Sequence, residues 1–137
     1  MKKSIIFLIF LSCLFAYDIK EFVTCKNVKN LTPIEITDTF TIKDQKVYAF
    51  AHFINIKKNR LIDFVWEKEV NGEWKLYADI KLPIYSGTRW RTYSYITIRP
   101  FFVGKWRVSI VDGSNTIDSR EFKIIDKNLT KTLPNNP

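Results

Sequence analysis

The sequence predicts an all-β fold, an antiparallel Ig-like β-sandwich of about seven or eight strands. Three observations carry this. Beyond position 17 apolar residues recur at every second place and not at helical spacing, so side chains sort to two faces of extended segments. Turn signals such as Asn71-Gly72 and Asp112-Gly113 recur at intervals common in sandwiches. No segment between the strands is long enough for a crossover helix, which disfavours a parallel sheet.

The elements follow in order. Segments near Phe22 and near Phe40 open the domain. Val47, Ala49, Ala51 and Phe53 then alternate onto one face, with Tyr48, Phe50 and His52 on the other. Ile62, Phe64 and Trp66 share a face opposite Asp63 and Glu67. A Trp on a central strand suits a sandwich, which often buries one mid-sheet. Asn71-Gly72 accepts the positive φ angles of a type I′ hairpin turn, so Trp74 to Ile80 forms the returning strand. Pro83 and Gly87 bracket a loop. In the next strand Trp90, Thr92, Ser94, Ile96 and Ile98 face the core, and Arg89, Arg91, Tyr93, Tyr95 and Thr97 face outward. Trp106, Val108 and Ile110 point inward, against Lys105, Arg107 and Ser109. Thr116 to Ile125 is the last strand, with Phe122 and Ile124 on one side.

The chain start bears on compartment. Met1-Lys2-Lys3 precedes the apolar run Ser4 to Leu11, which is shorter than the ~20 residues of a membrane-spanning helix. This pattern reads as a secretory signal peptide over residues 1–16, cleaved after Ala16, giving a periplasmic or secreted protein. Phe10-Leu11-Ser12-Cys13 is an imperfect lipoprotein motif that would lipidate Cys13; a third outcome is an uncleaved anchor. Membrane association is expected only in those two cases. The domain then covers residues 17–125, and the polar tail 126–137 is expected to be disordered.

Removing 16 residues from 137 leaves 121, enough to bury about two-thirds of the unfolded surface. Cys25 is then the only cysteine, so no internal disulfide forms, and a small buried apolar role is expected. Without Lys2 and Lys3, 20 of the 22 cations face 14 carboxylates, a net charge of +6. That favours anionic partners. The plainer reading is solubility, because the lysines are spread along the chain.

Candidate binding residues come from the outward side of the Arg89 strand. Guanidinium groups stack on rings and fork onto carboxylates, so Arg89, Arg91, Tyr93 and Tyr95 form a strip suited to an acidic or sugar-like ligand. The competing reading pairs Arg91 with a carboxylate on the next strand while the tyrosines shield the sheet. Trp74, Tyr77 and Tyr85 sit near loops or an edge and are further candidates for stacking on a sugar, or for closing the ends of the sandwich. Nucleic-acid binding is chemically allowed but conflicts with secretion.

The catalytic inventory is short. His52 is the only histidine, so a hydrolase would be built on it beside a carboxylate. No cysteine or histidine pair has metal spacing, and Gly72, Gly87, Gly104 and Gly113 stand alone, so no phosphate-cradling loop and no cofactor is expected. Asp126-Lys127-Asn128-Leu129-Thr130 resembles the extended acceptor sequon of bacterial N-glycosylation, with Asn128 as acceptor; Asn30-Leu31-Thr32 lacks the acidic residue.

Gly87-Thr88-Arg89-Trp90-Arg91-Thr92-Tyr93-Ser94, followed by Gly104-Lys105-Trp106-Arg107-Val108-Ser109-Ile110, resembles an uncharacterised bacterial envelope family, the domain of unknown function numbered 2914. Asn30-Leu31-Thr32-Pro33, Val47 to Phe50, Val65-Trp66 and Phe122 extend the resemblance over Phe22 to Ile125. The family often has a histidine two residues before the tryptophan of the third strand, where this chain has Phe64. The resemblance implies a small extracytoplasmic β-domain and no particular reaction. The expectation is therefore a non-enzymatic binding or interaction module of the cell envelope, with an envelope protein or glycan as partner. A carbohydrate-binding domain and a His52 hydrolase are the alternatives.

Overall fold

The computed structural model describes residues 16–126. Residues 1–15, with Cys13, and residues 127–137, with Asn128 and nearly all of the expected disordered tail, lie outside them. Nine strands run in order β1 (Asp18–Lys29), β2 (Thr32–Ile36), β3 (Thr39–Thr41), β4 (Lys46–Ile56), β5 (Arg60–Val70), β6 (Glu73–Ile84), β7 (Gly87–Thr97), β8 (Gly104–Asp112) and β9 (Asn115–Ile125). They form a four-stranded sheet, β2-β1-β4-β7, and a five-stranded sheet, β3-β9-β8-β5-β6. Short 3-10 turns at Ile42–Asp44 and Pro100–Phe102 complete the described structure.

All pairs are antiparallel but one. Thr39–Thr41 runs parallel to Lys123–Ile125. The sequence predicts only antiparallel pairing, and the difference has a simple cause. The chain dips from one sheet to the other for three residues, and the rest of the domain serves as the connection to β9. The segment near Phe40 is thus a strand as expected, and the strand the sequence does not predict is β2, a five-residue edge containing Pro33. Pro83 also lies inside an edge strand, β6, where no partner needs its missing donor. The connection to β7 is therefore only Tyr85 and Ser86.

The predicted faces hold. Val47, Ala49, Ala51, Phe53, Ile62, Phe64, Trp66, Trp106, Val108 and Ile110 are all fully buried. The centre is aromatic: Phe122 stacks on Trp106 at 6.1 Å and meets Trp66 and Phe40 edge-on at 5.9 and 5.7 Å. Both indoles are satisfied, as buried N–H groups must be. Trp66 Nε1 donates to Ser94 Oγ across the sandwich at 3.2 Å, and Trp106 Nε1 donates to the Phe102 carbonyl at 2.7 Å.

A second polar tie joins the sheets at the entry to β1. Arg60 Nε and Nη2 donate to the two Asp112 oxygens at 2.8 and 2.9 Å, and the buried Tyr17 hydroxyl donates to Asp112 Oδ2 at 2.8 Å. The Arg60 guanidinium holds the Asp112 carboxyl below its ordinary range, and burial pushes the Tyr17 phenol up. The Tyr17 ring packs edge-on against Phe53 at 5.3 Å.

Candidate functional site

Alternation in β4 and β7 builds the outer face of the four-stranded sheet. Register then fixes which side chains meet. Tyr95 lies opposite Tyr48, which lies opposite Cys25, which lies opposite Ile36. Tyr93 lies opposite Phe50 and Val23, and Arg91 opposite His52 and Glu21. Arg89 ends the face opposite Ile54. Directly opposed residues share a face, so the strip of Arg89, Arg91, Tyr93 and Tyr95 is one margin of a broader surface.

Its chemistry is layered. Cys25 and Phe50 are buried although they point away from the sandwich core, because larger neighbours cover them. Burial pushes the Cys25 thiol up to about 11, which makes it a poor nucleophile. Above them Tyr48 lies 5.2 Å from Tyr95 and 5.8 Å from Tyr93 between ring centroids. Tyr93 and Tyr95 remain 38% and 43% exposed, and Ile36 is 57% exposed at the far edge. Lys46 Nζ sits 4.5 Å over the Tyr95 ring. Arg89 and Arg91 form no ion pair with a described residue.

His52 lies within this face. It is 5% exposed, and its Nε2 has no hydrogen-bond partner. Burial first, then the charges of Arg91, Lys20 and Arg89, hold the imidazole below its ordinary pKa, with Glu21 opposing them. A neutral, covered ring amid cations is a poor general base for a substrate arriving from solvent.

The outer face of the five-stranded sheet contrasts with this. There three cations carry anions: Arg107 Nε lies 2.7 Å from Glu67, Lys81 Nζ 2.7 Å from Asp63 and Lys105 Nζ 3.5 Å from Glu121. Trp74 belongs to this face and is covered by Arg107, whose guanidinium carbon is 4.4 Å from the ring centroid. Tyr77 sits where the β5–β6 register slips and packs on Phe102 and Trp106 at 5.0 and 5.4 Å. Tyr85 meets Trp90 at 4.9 Å in the β6–β7 corner.

Of the seven candidate binding residues, the structure thus gathers four on one face and places Trp74, Tyr77 and Tyr85 elsewhere. Sequence reasoning missed Lys46, Tyr48, Val23 and Ile36 as neighbours of that strip. The alternation Lys46-Tyr48-Phe50 was a usable signal, but nothing local says that β4 pairs with β7. Among the described residues, no group of three or more His, Cys, Asp or Glu side chains is placed to hold a metal. No helix among them is long and apolar enough to cross a membrane.

Residues 60–124 match the model of a family described as protein of unknown function, DUF2914. The match begins with β5 and leaves the upstream segments of the sequence resemblance outside it. No curated protein matches the chain. Among solved structures, beta-glucosidase from Listeria innocua in complex with isofagomine is similar at TM-score 0.50 and 12% identity, over 79% of this chain and 16% of that chain. A mutant of that enzyme in complex with laminaribiose gives TM-score 0.50 and 12% identity, over 80% of this chain and 16% of that one. Beta-glucosidase from Kluyveromyces marxianus in complex with glucose gives TM-score 0.46 and 13% identity, over 80% and 14%. The chain thus spans about one-sixth of the Listeria enzymes it resembles, and at this identity the likeness is one of fold.

Proposed function

We propose that this chain, a member of the DUF2914 family through residues 60–124, is a non-enzymatic extracytoplasmic binding module of the cell envelope. Its contact surface is the outer face of the four-stranded sheet. One observation carries the reading: this face holds exposed tyrosines beside arginines without counter-ions, whereas on the opposite outer face Arg107, Lys81 and Lys105 are each paired with a carboxylate. Exposed rings next to guanidinium groups are the side chains most enriched where proteins bind. The compartment rests on the basic-then-apolar leader pattern at Met1 to Ala16.

The test is photo-crosslinking in cells. A benzoylphenylalanine placed at Tyr95 is expected to trap a discrete partner, and one placed at Leu76, exposed on the opposite sheet, is not. Equal products from both positions, or none from Tyr95, would overturn the assignment of the face. A carbohydrate-recognition reading draws on Tyr93 and Tyr95 alone, since Trp74, Tyr77 and Tyr85 lie apart from them. Glycan-array binding that is lost in Tyr93→Ala/Tyr95→Ala would favour it over a protein partner.

A further inference from the structure

We infer that β7 is an acceptor edge for strand addition by an extended, acidic segment of a partner protein, an inference that rests on the binding-module reading above. An edge strand presents unpaired N–H and C=O groups that template another chain, and proteins normally blunt such edges. Here the other edges are blunted. At five and three residues β2 and β3 are short, and β2 contains Pro33 and a left-handed Glu35 at φ 54°. On β6 the guards are Pro83, the register slip at Tyr77 and the outward Lys81. The half of β9 beyond β3 is capped by its own side chains: Asp118 Oδ1 accepts from the Ser119 N–H and Arg120 Nη1 donates to the Ser119 carbonyl, both at 2.8 Å. The half of β1 beyond β2 is broken by a bulge between Ile19 and Glu21, and Thr37 binds the Thr24 carbonyl.

Of these devices β7 has only outward cations, Arg89 and Arg91, which an acidic guest would neutralise. It runs eleven residues without proline, and its register with β4 is unbroken from Thr97 to Arg89. No described side chain hydrogen-bonds its backbone. Every second residue of such an edge points its N–H and C=O away from the neighbouring strand. The side chains then specify the guest. Residues of an added strand alternate between faces, so those on the outer side lie beside Arg89, Arg91, Tyr93 and Tyr95. Two arginines without counter-ions call for carboxylates at two successive outward positions, and the tyrosines for aromatic or aliphatic side chains at the next two. On the other side, half-buried Trp90 favours small or apolar residues.

The experiment uses a synthetic peptide with Glu at two alternate positions and Tyr at the next two, Thr between them, and a twin with Lys for Glu. Binding is read by fluorescence anisotropy and hydrogen exchange by NMR. Support is binding of the Glu peptide alone, with slowed exchange at every second β7 amide, and a reversed preference in Arg91→Glu, whose affinity for the Glu peptide falls about tenfold or more. An unchanged melting temperature establishes that this variant is folded. Binding without protection of β7 amides would overturn strand addition yet leave the face as the contact surface. Failure of the Glu peptide to bind, or equal binding of its Lys twin, would overturn the acidic guest. Crosslinking at Tyr95 judges the binding-module reading independently of all three results.

Discussion

His52 shows what a single residue contributes when burial and charge agree. It is covered on the outer sheet face, with Glu21 and Lys20 facing it from β1 and Arg91 and Arg89 from β7. Its folded pKa is therefore below the unfolded value near 6.5. The sign follows directly. Above pH ~6.5 both states are neutral and the term is constant. Below it the unfolded chain takes up a proton that the folded chain resists, so stability falls with pH until the lowered folded value is reached. The slope is at most about 1.4 kcal/mol per pH unit. His52→Phe is expected to flatten the dependence of urea-unfolding stability between about pH 5 and 7. A variant curve parallel to wild type would show that His52 does not titrate on unfolding.

At the scale of elements, the β5–β6 hairpin rests on two residues. Asn71 and Gly72 adopt φ 54° and 81°, the left-handed pair that a type I′ turn requires. A Cβ on Gly72 would meet nothing within 4 Å, so the cost of Gly72→Ala is conformational. It is about 1 kcal/mol, which is expected to lower Tm by about 4 °C or more in calorimetry. This turn was legible in the sequence because its chemistry is local. So were the faces of β4, β7 and β8, where two-residue periodicity alone assigns Val47, Ile96 and Trp106 to the interior. What could not be read depends on pairing. Three residues at Thr39–Thr41 carry too little pattern to announce a parallel partner more than seventy positions away. The slip opposite Trp66 and Glu67 leaves Tyr77 against Phe102 and puts Trp74 on the outer face. That is why a platform of Trp74, Tyr77 and Tyr85 does not assemble. Cys25 and Phe50 are buried on an outward face only because register brings Tyr48, Tyr93 and Tyr95 beside them.

The whole molecule is held by an apolar interior crossed by two polar ties. Trp66 reaches from the five-stranded sheet to Ser94 on β7, and Tyr17, at the entry to β1, reaches Asp112 on β8. Hydrophobic burial resists separation of the sheets but is non-directional, whereas these bonds fix how one sheet sits over the other. Ser94 lies opposite Ala49 and Tyr17 packs on Phe53, four residues along β4, or about 13 Å at strand rise. Ser94→Ala leaves the buried Trp66 N–H unsatisfied and is expected to cost about 1–3 kcal/mol. Tyr17→Phe keeps the ring against Phe53 but removes a bond to a carboxylate, at about 1.5–3 kcal/mol. With no shared partner at that separation, the two losses should add to within about 0.5 kcal/mol in denaturant unfolding of the double variant. A larger interaction energy would mean that the sheets shift as rigid bodies when either tie is cut, so that each bond sets the geometry of the other.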